Sequence, residues 1–273
     1  MITGAGAQMT YGLVATDMDG TLLDASHRAV SPRNRAALAL AAAAGARHIV
    51  VTGRPVPLVR DVLRDMGYEG LAICGQGSQL YHAGKGVMVS ETGLERAVAR
   101  EALARIADRI GPLALCVNRG GVDGDMLLDE AFTFPPLAIP GVQRGTEREL
   151  WAEPLNKVSI QCPGLSDDVL AKAAEDAAGD LVDFTVAGPS LVELLPLGMS
   201  KAVGLQQAAA GFGLSAADTI AFGDMPNDIP MFEWAAYGVA MENAHPDLKA
   251  LADEVTSSNL EDGVAVVLER IYG

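Results

Sequence analysis

Cations, cysteines and aromatic side chains are all scarce in this chain, and each shortage removes a class of function. Lys and Arg total 20 against 35 Asp and Glu, a net charge of −15. Broad binding to nucleic acid or to an anionic membrane needs clustered Lys and Arg, so neither partner is expected. A small anion stays acceptable where a cation sits in its site. The three cysteines, Cys74, Cys116 and Cys162, are far apart and form no CxxC pair. That usage fits a reducing cytoplasm better than a disulfide framework. No apolar run reaches the length of a membrane span. A basic stretch followed by an apolar one is also missing at the N-terminus, so no signal peptide is expected. The residues before Tyr11 read as a small Gly-rich tail in which Met9 is an alternative start.

What is present points to an alternating α/β chain. Of the 273 residues 49% are apolar, enough for a sizeable core, and the length favours two domains. Leu13-Val14-Ala15-Thr16-Asp17 reads as a short strand. Ser31-Pro32 opens a helix that Gly45 closes, and His48 to Thr52 reads as a second buried strand. A helix from Val56 to Gly67 and a strand Leu71 to Cys74 repeat the unit, as expected of a parallel sheet with right-handed crossovers. The pattern then changes. Gln79-Leu80-Tyr81 and Val87-Met88-Val89 read as a hairpin, followed by a helix Leu94 to Ile110 and strands at Leu113 to Val117, Met126 to Leu128, Val158 to Ile160 and Val182 to Val186. A helix from Ser166 to Ala178 sits between the last two, and residues 131–155, rich in Pro and Gly, carry little pattern. Alternation resumes with a helix capped by Ser200, a strand Thr219 to Phe222, a helix Asn227 to Trp234, a strand Tyr237 to Ala240 and a closing helix Asp262 to Tyr272. The expected architecture is a Rossmann-like parallel-sheet core, residues 1–82 and 189–273, with an α+β unit, residues 83–188, inserted in it.

Four groups of residues carry the chemistry. Asp17-Met18-Asp19-Gly20-Thr21 ends the first strand, at the edge where open parallel sheets bind ligands. Residues i and i+2 of a strand share a side, so both carboxylates can face one centre. A plain turn with two solvated Asp residues is the competing reading. Thr52-Gly53-Arg54 ends the second strand, where a hydroxyl and a Gly N–H suit a phosphate oxygen. Lys201 follows a Ser cap at a helix start, against the preference set by the helix dipole, which points to an anion nearby. Gly223-Asp224-Met225-Pro226-Asn227-Asp228 puts two more carboxylates after an apolar strand. Gly4-Ala5-Gly6-Ala7 follows no strand and is not a dinucleotide loop. Asp123-Gly124-Asp125 with Asp129-Glu130 lacks the spacing of a calcium loop. His27, His48, His82 and His245 are scattered, and Trp151 and Trp234 read as packing residues.

Taken together, Asp17-x-Asp19-Gly20-Thr21, Thr52-Gly53-Arg54, Ser200-Lys201 and Gly223-Asp224-x-x-Asn227-Asp228 resemble the haloacid dehalogenase superfamily, specifically its Cof-type phosphatases with a large α/β cap. Gly238-Val239-Ala240-Met241-x-Asn243-Ala244 and Glu261-Asp262-Gly263-Val264-Ala265 are similar to the family's ending. Gln76-Gly77 stands where Asn-Gly is usual, and Ala202 where Gly is common. The resemblance implies a phosphatase of small phosphorylated metabolites. Asp17 would be the nucleophile and a metal ligand, and Asp19 the acid and base with its backbone carbonyl on the metal. Thr52, Gly53, Lys201 and Asn227 would hold the phosphoryl group, with Asp224 and Asp228 at a Mg²⁺ ion. The cap is expected to close over the site, with Arg119, Arg144 and Arg148 as candidate contacts. A phosphomutase is the alternative reading, and a non-catalytic phosphate-ligand binder a third. Oligomeric state is not legible.

The chemistry explains why such groups belong together. Phosphate monoester hydrolysis is among the slowest uncatalysed reactions, accelerated by up to ~10²¹-fold in enzymes. A carboxylate nucleophile splits it into two easier displacements. The obstacle is charge, because like unit charges 4 Å apart repel by about 4 kcal/mol at an effective dielectric near 20. Mg²⁺ and Lys201 would offset that repulsion, and an all-oxygen donor set favours such a hard cation over Zn²⁺.

Overall fold

The computed structural model describes residues 10–133, 142–188 and 191–273. The Gly-rich tail with Met9 and Gly4-Ala5-Gly6-Ala7, and part of the stretch 131–155, lie outside these residues. Strand β1 (Leu13–Thr16) is buried along its whole length, as a strand covered on both faces must be. Helix α1 (Pro32–Ala43) starts where the Ser31 hydroxyl accepts from the Asn34 N–H, and it leads to β2 (Arg47–Val51). Helix α2 (Val56–Asp65) and β3 (Leu71–Cys74) follow. Strands β4 (Gln79–His82) and β5 (Val87–Glu91) form the expected antiparallel hairpin.

The chain then builds a second sheet. In order come α3 (Arg96–Ile110), β6 (Ala114–Arg119), β7 (Met126–Leu128), β8 (Val142–Arg144), α4 (Glu147–Leu150), β9 (Leu155–Gln161), α5 (Asp167–Ala178), β10 (Val182–Gly188) and β11 (Leu191–Pro196). The spatial order is β10-β11-β9-β6-β7-β8, antiparallel except for β7 beside β8. Helices α3 and α5 cover one face, burying Ala99, Ile106, Leu170 and Ala174 against Val117, Val158, Ile160 and Leu194. The last segment returns to the first sheet through α6 (Lys201–Gly211), β12 (Thr219–Gly223), α7 (Ile229–Trp234), β13 (Tyr237–Ala240), α8 (Pro246–Leu251), β14 (Glu254–Val255) and α9 (Gly263–Tyr272).

The first sheet has the order β14-β13-β12-β1-β2-β3-β4-β5, parallel from β14 to β3. Strand β1 is the switch point: the chain moves to β2 on one side and later to β12 on the other. A crevice opens at the C-terminal ends of strands at such a point. Sheet membership differs from the expected boundaries at both crossings. Strand β5, expected beyond the boundary at 82/83, continues the first sheet because its register with β4 extends the pairing of β3 with β4. Strand β11, expected on the core side of 188/189, pairs between β10 and β9 in the second sheet. The sheets therefore divide the chain after Glu91 and after Pro196. Strands β8, β11 and β14 and helix α8 had no clear pattern in the sequence.

Cys74, Cys116 and Cys162 are buried and free. Among the described residues no helix is long and apolar enough to cross a membrane. His48 on β2 is partly buried, edge-on to Tyr68 at 5.5 Å and 2.8 Å from the Thr16 hydroxyl. Burial brings its pKa down to about 4. The unfolded chain therefore takes up a proton, below an ordinary pKa near 6.5, that the folded chain refuses. Stability is full above that value and drains away as the pH falls toward 4. Urea unfolding at pH 7 and pH 5 should show wild type losing about 1–2 kcal/mol more than His48→Gln over that interval; identical losses would mean the imidazole is not held neutral.

Candidate active site

Asp17 follows β1 directly, and its N–H donates to the Phe222 carbonyl of β12, 3.0 Å away. Gly20 has φ +76°, and a Cβ there would lie 2.2 Å from Asp224 Oδ2. Only glycine permits the chain to leave the strand that tightly beside Asp224. Thr21 then donates its hydroxyl to Asp224 Oδ1 at 3.1 Å. Helix α6 brings Lys201 from the other direction. Its cap, Ser200, packs so closely on the loop after β3 that a Cβ on Gly77, φ +103°, would sit 1.9 Å from the Ser200 carbonyl oxygen.

The Lys201 ammonium is 1% exposed and donates to Asp17 Oδ1 and Asp228 Oδ1, each at 2.6 Å. The second oxygen of Asp228 accepts the N–H groups of Asp224 and Met225 at 3.0 and 3.1 Å. Asp17, Asp224 and Asp228 each offer a carboxylate oxygen within 4.8 Å of the others. Burial, only partly offset by Lys201 and reinforced by Asp228, pushes the Asp17 carboxyl up to about 7. Burial and the charges of Asp17 and Asp228 push Asp224 up to about 9. Burial alone would lower the Lys201 pKa, but the two carboxylates outweigh it and hold the ammonium above its ordinary value. Three carboxylates facing one ammonium leave two negative charges when ionised, the deficit that one divalent cation offsets. The donors are all hard oxygens, so the site fits a metal ion of that kind.

Asp19 lies apart from this cluster. Arg54 grips its carboxylate with Nε on Oδ2 at 2.8 Å and Nη2 on Oδ1, and His27 Nδ1 sits 3.0 Å from Oδ1. Burial raises the Asp19 pKa, but these two partners outweigh it and hold the carboxyl below the usual range. The Asp19 hydrogen bond in turn raises the His27 pKa.

Thr52 is buried and its hydroxyl accepts the Arg54 N–H at 3.1 Å. That amide shares a peptide with the Gly53 carbonyl, which accepts the Lys157 ammonium of β9 at 2.7 Å. The Lys157 cation therefore polarises the peptide whose N–H holds the Thr52 oxygen; because the hydroxyl accepts there, its own proton is available to donate. Lys157 also pairs with Glu193 of β11, both buried. Glu193 accepts Gln76 Nε2 at 2.8 Å, and Gln76 Oε1 accepts Asn227 Nδ2 at 3.1 Å. A carboxylate only accepts, so Glu193 fixes the Gln76 amide and, through it, the Asn227 amide. Gln76 and Asn227 also border a cavity of about 340 Å³, with Lys201, Met199, Phe184 and Thr185.

The structure thus brings Asp17, Lys201, Asp224 and Asp228 together and puts Thr52 and Gly53 at the neighbouring strand end. Arg119 and Arg144 are engaged within the second sheet, on Asp125 and Glu149 and on the carbonyls of Asp129 and Phe132; Arg148 is exposed. Sequence reasoning missed Lys157 and Glu193, set His27 aside as scattered, and quoted Thr21 and Arg54 without their partners. A single charge inside an apolar strand, as in Val192-Glu193-Leu194, was the available signal for the buried pair.

Residues 14–268 match the haloacid dehalogenase-like hydrolase family. The chain belongs to that family. It is 28% identical over 288 residues to the 5-amino-6-(5-phospho-D-ribitylamino)uracil phosphatase YwtE of Bacillus subtilis, covering 94% of this chain and 97% of that protein. It is also 29% identical over 273 residues to the chloroplastic endoribonuclease YBEY of Arabidopsis thaliana, a match that covers 95% of this chain but 46% of the longer protein. Among solved structures, SMU.1108c of Streptococcus mutans superposes with a TM-score of 0.83 over 95% of this chain and 98% of that one, at 21% identity. That likeness is one of fold.

Replacing Lys201 by Met tests the charge balance. In EDTA at neutral pH the variant should lose about 3–5 kcal/mol of stability, because breaking a buried pair leaves charge uncompensated. The deficit should shrink as the pH falls to 5.5 and the carboxylates take up protons. A loss that does not change with pH would contradict the arrangement.

Proposed function

We propose that this protein is a Mg²⁺-dependent phosphatase that hydrolyses small phosphorylated metabolites, sugar or cofactor phosphates, through a phosphoaspartyl intermediate on Asp17. The observation that carries the reading is the buried meeting of Asp17, Lys201, Asp224 and Asp228 at the switch point of a parallel sheet. Family membership and the phosphatase name of the Bacillus subtilis relative support it.

Each residue then has a task. Asp17 attacks phosphorus, forming a P–O bond as the ester P–O bond breaks. Asp19 gives a proton to the departing oxygen, then takes one from the water that attacks the acyl phosphate. Its lowered pKa favours the ionised form that the second step requires; the first requires a proton on one of the two oxygens that Arg54 now holds. Thr52, the Gly53 N–H, Lys201 and Asn227 hold the phosphoryl oxygens. Asp17, Asp224 and Asp228, with the Asp19 backbone carbonyl, would hold Mg²⁺. When bound, the ion supplies positive charge opposite the phosphoryl oxygens. The second sheet acts as the cap, excluding water and contacting the leaving group. Three buried free cysteines agree with a cytoplasmic setting, and the net charge of −15 with a small-molecule partner rather than nucleic acid or membrane.

Phosphate release from a panel of sugar phosphates, nucleotides and cofactor phosphates, with Mg²⁺ and with EDTA, tests the reading. Release should require the cation. Asp17→Asn should fold normally and lose turnover by on the order of 10⁴-fold or more. Near-normal turnover by that variant, checked for deamidation back to Asp, would remove Asp17 from the role. Isomerised sugar phosphate without free phosphate would make the protein a mutase.

A further inference from the structure

The face of the second sheet that meets the core is polar at its centre. Lys157 on β9 is the cross-strand partner of Asn118 on β6. Side chains of such partners share a face, with Cβ atoms about 4.5–5.5 Å apart. Lys157 shows which face this is, because its ammonium lies 2.7 Å from the Gly53 carbonyl oxygen of the core. Met126, paired with Asn118 from the other side, belongs to an apolar cluster packed against Leu58 of α2 in the core. Asn118 therefore looks from the second sheet toward the loop that carries Thr52 and Gly53.

Asn118 is 1% exposed, yet among the described residues neither its amide oxygen nor its amide nitrogen has a hydrogen-bond partner. A buried amide with both ends unmet marks a place where something outside the chain supplies the partners. Among the described residues, Lys157 adds a third unmet valence. Its ammonium has three N–H donors, and the Gly53 carbonyl and Glu193 take two. Glu193 bonds Gln76, which borders the cavity beside Lys201, so Lys157 is linked to that cavity wall through two hydrogen-bonded side chains.

We propose that Asn118 and Lys157 form the subsite for the leaving group, and that it takes a leaving group carrying neighbouring hydroxyls. This rests on the phosphatase reading above. A hydroxyl both donates and accepts, so two of them satisfy Asn118 Oδ1 and Nδ2 and leave a lone pair for the third Lys157 donor. An aryl leaving group supplies none of these partners and leaves the amide unmet on binding, which is how a buried polar site rejects such an analogue. Asn118 is a specificity residue and takes no part in the bond changes.

The test compares kcat/KM for the best hydroxyl-bearing ester of the panel, starting with D-ribose 5-phosphate, with kcat/KM for phenyl phosphate. In Asn118→Leu the ratio of the two should fall by about 10- to 100-fold, the worth of one or two lost hydrogen bonds. The melting temperature of the ligand-free variant should hold or rise, because an apolar isostere removes an unmet buried amide. Asn118→Ala should move the ratio in the same direction. A ratio unchanged in both variants, with a lower melting temperature, would mean that the amide is met by a structural water, and would overturn the proposal while leaving the phosphatase reading intact. Absence of any phosphate release from the folded wild-type protein would overturn both.

Discussion

The Lys201 ammonium between Asp17 and Asp228 is the contact on which the rest of the site depends. It joins the end of β1, the loop after β12 and the start of α6, three parts of the chain far apart in sequence. A charge this deeply buried persists only when paired and hydrogen-bonded, so the three parts hold one another in place. Asp228 shows how much is satisfied at once: one oxygen takes Lys201, the other takes two backbone N–H groups of its own loop. The same arrangement remains short of positive charge, and the raised pKa values of Asp17 and Asp224 express that shortage as an appetite for protons. A divalent cation offers a better answer than protonation, because it leaves the carboxylates ionised and able to react.

A second layer of buried charge links the two sheets. Lys157 and Glu193 belong to the second sheet, but each also bonds a loop beside the first, Lys157 the Gly53 carbonyl and Glu193 the Gln76 amide. Breaking one member of such a pair is costly, so the pair holds the sheets in register as well as orienting the loops. The order of Gln76 and Asn227 follows from it. The Gln76 backbone sits in the left-handed region at φ 59°, a conformation that costs roughly 1–3 kcal/mol for a residue with a side chain. Its bonds to both Glu193 and Asn227 explain why that strain is tolerated.

Much of this was legible in the residues. Apolar runs that end in Asp, Thr or Gly fixed the strand ends at Asp17, Thr52 and Gly223, and Ser200 followed by a Lys marked the start of α6. These signals are local, so they survive without knowledge of the fold. The less legible parts depend on contacts between distant segments. Strand β11 carried no clear signal because Leu191 to Pro196 does not alternate, and its partners are β9, before helix α5 in the chain, and β10, across a bulge at Gly188. Strand β5 was read into the inserted unit because a hairpin does not announce which sheet it joins. The grip of Arg54 and His27 on Asp19 needed the loop 24–30 to fold back, with His27 itself at φ 55°. No periodicity signals such a return.

The central claim is that Asp17, and no other carboxylate, carries the phosphoryl group between substrate and water. It is tested most directly by quenching a single turnover with acid, reducing the acyl phosphate with borohydride, and mapping the product by peptide mass spectrometry. The account predicts homoserine at position 17, formed only when substrate and Mg²⁺ are present. Homoserine at position 19, 224 or 228, with Asp17 intact, would contradict it.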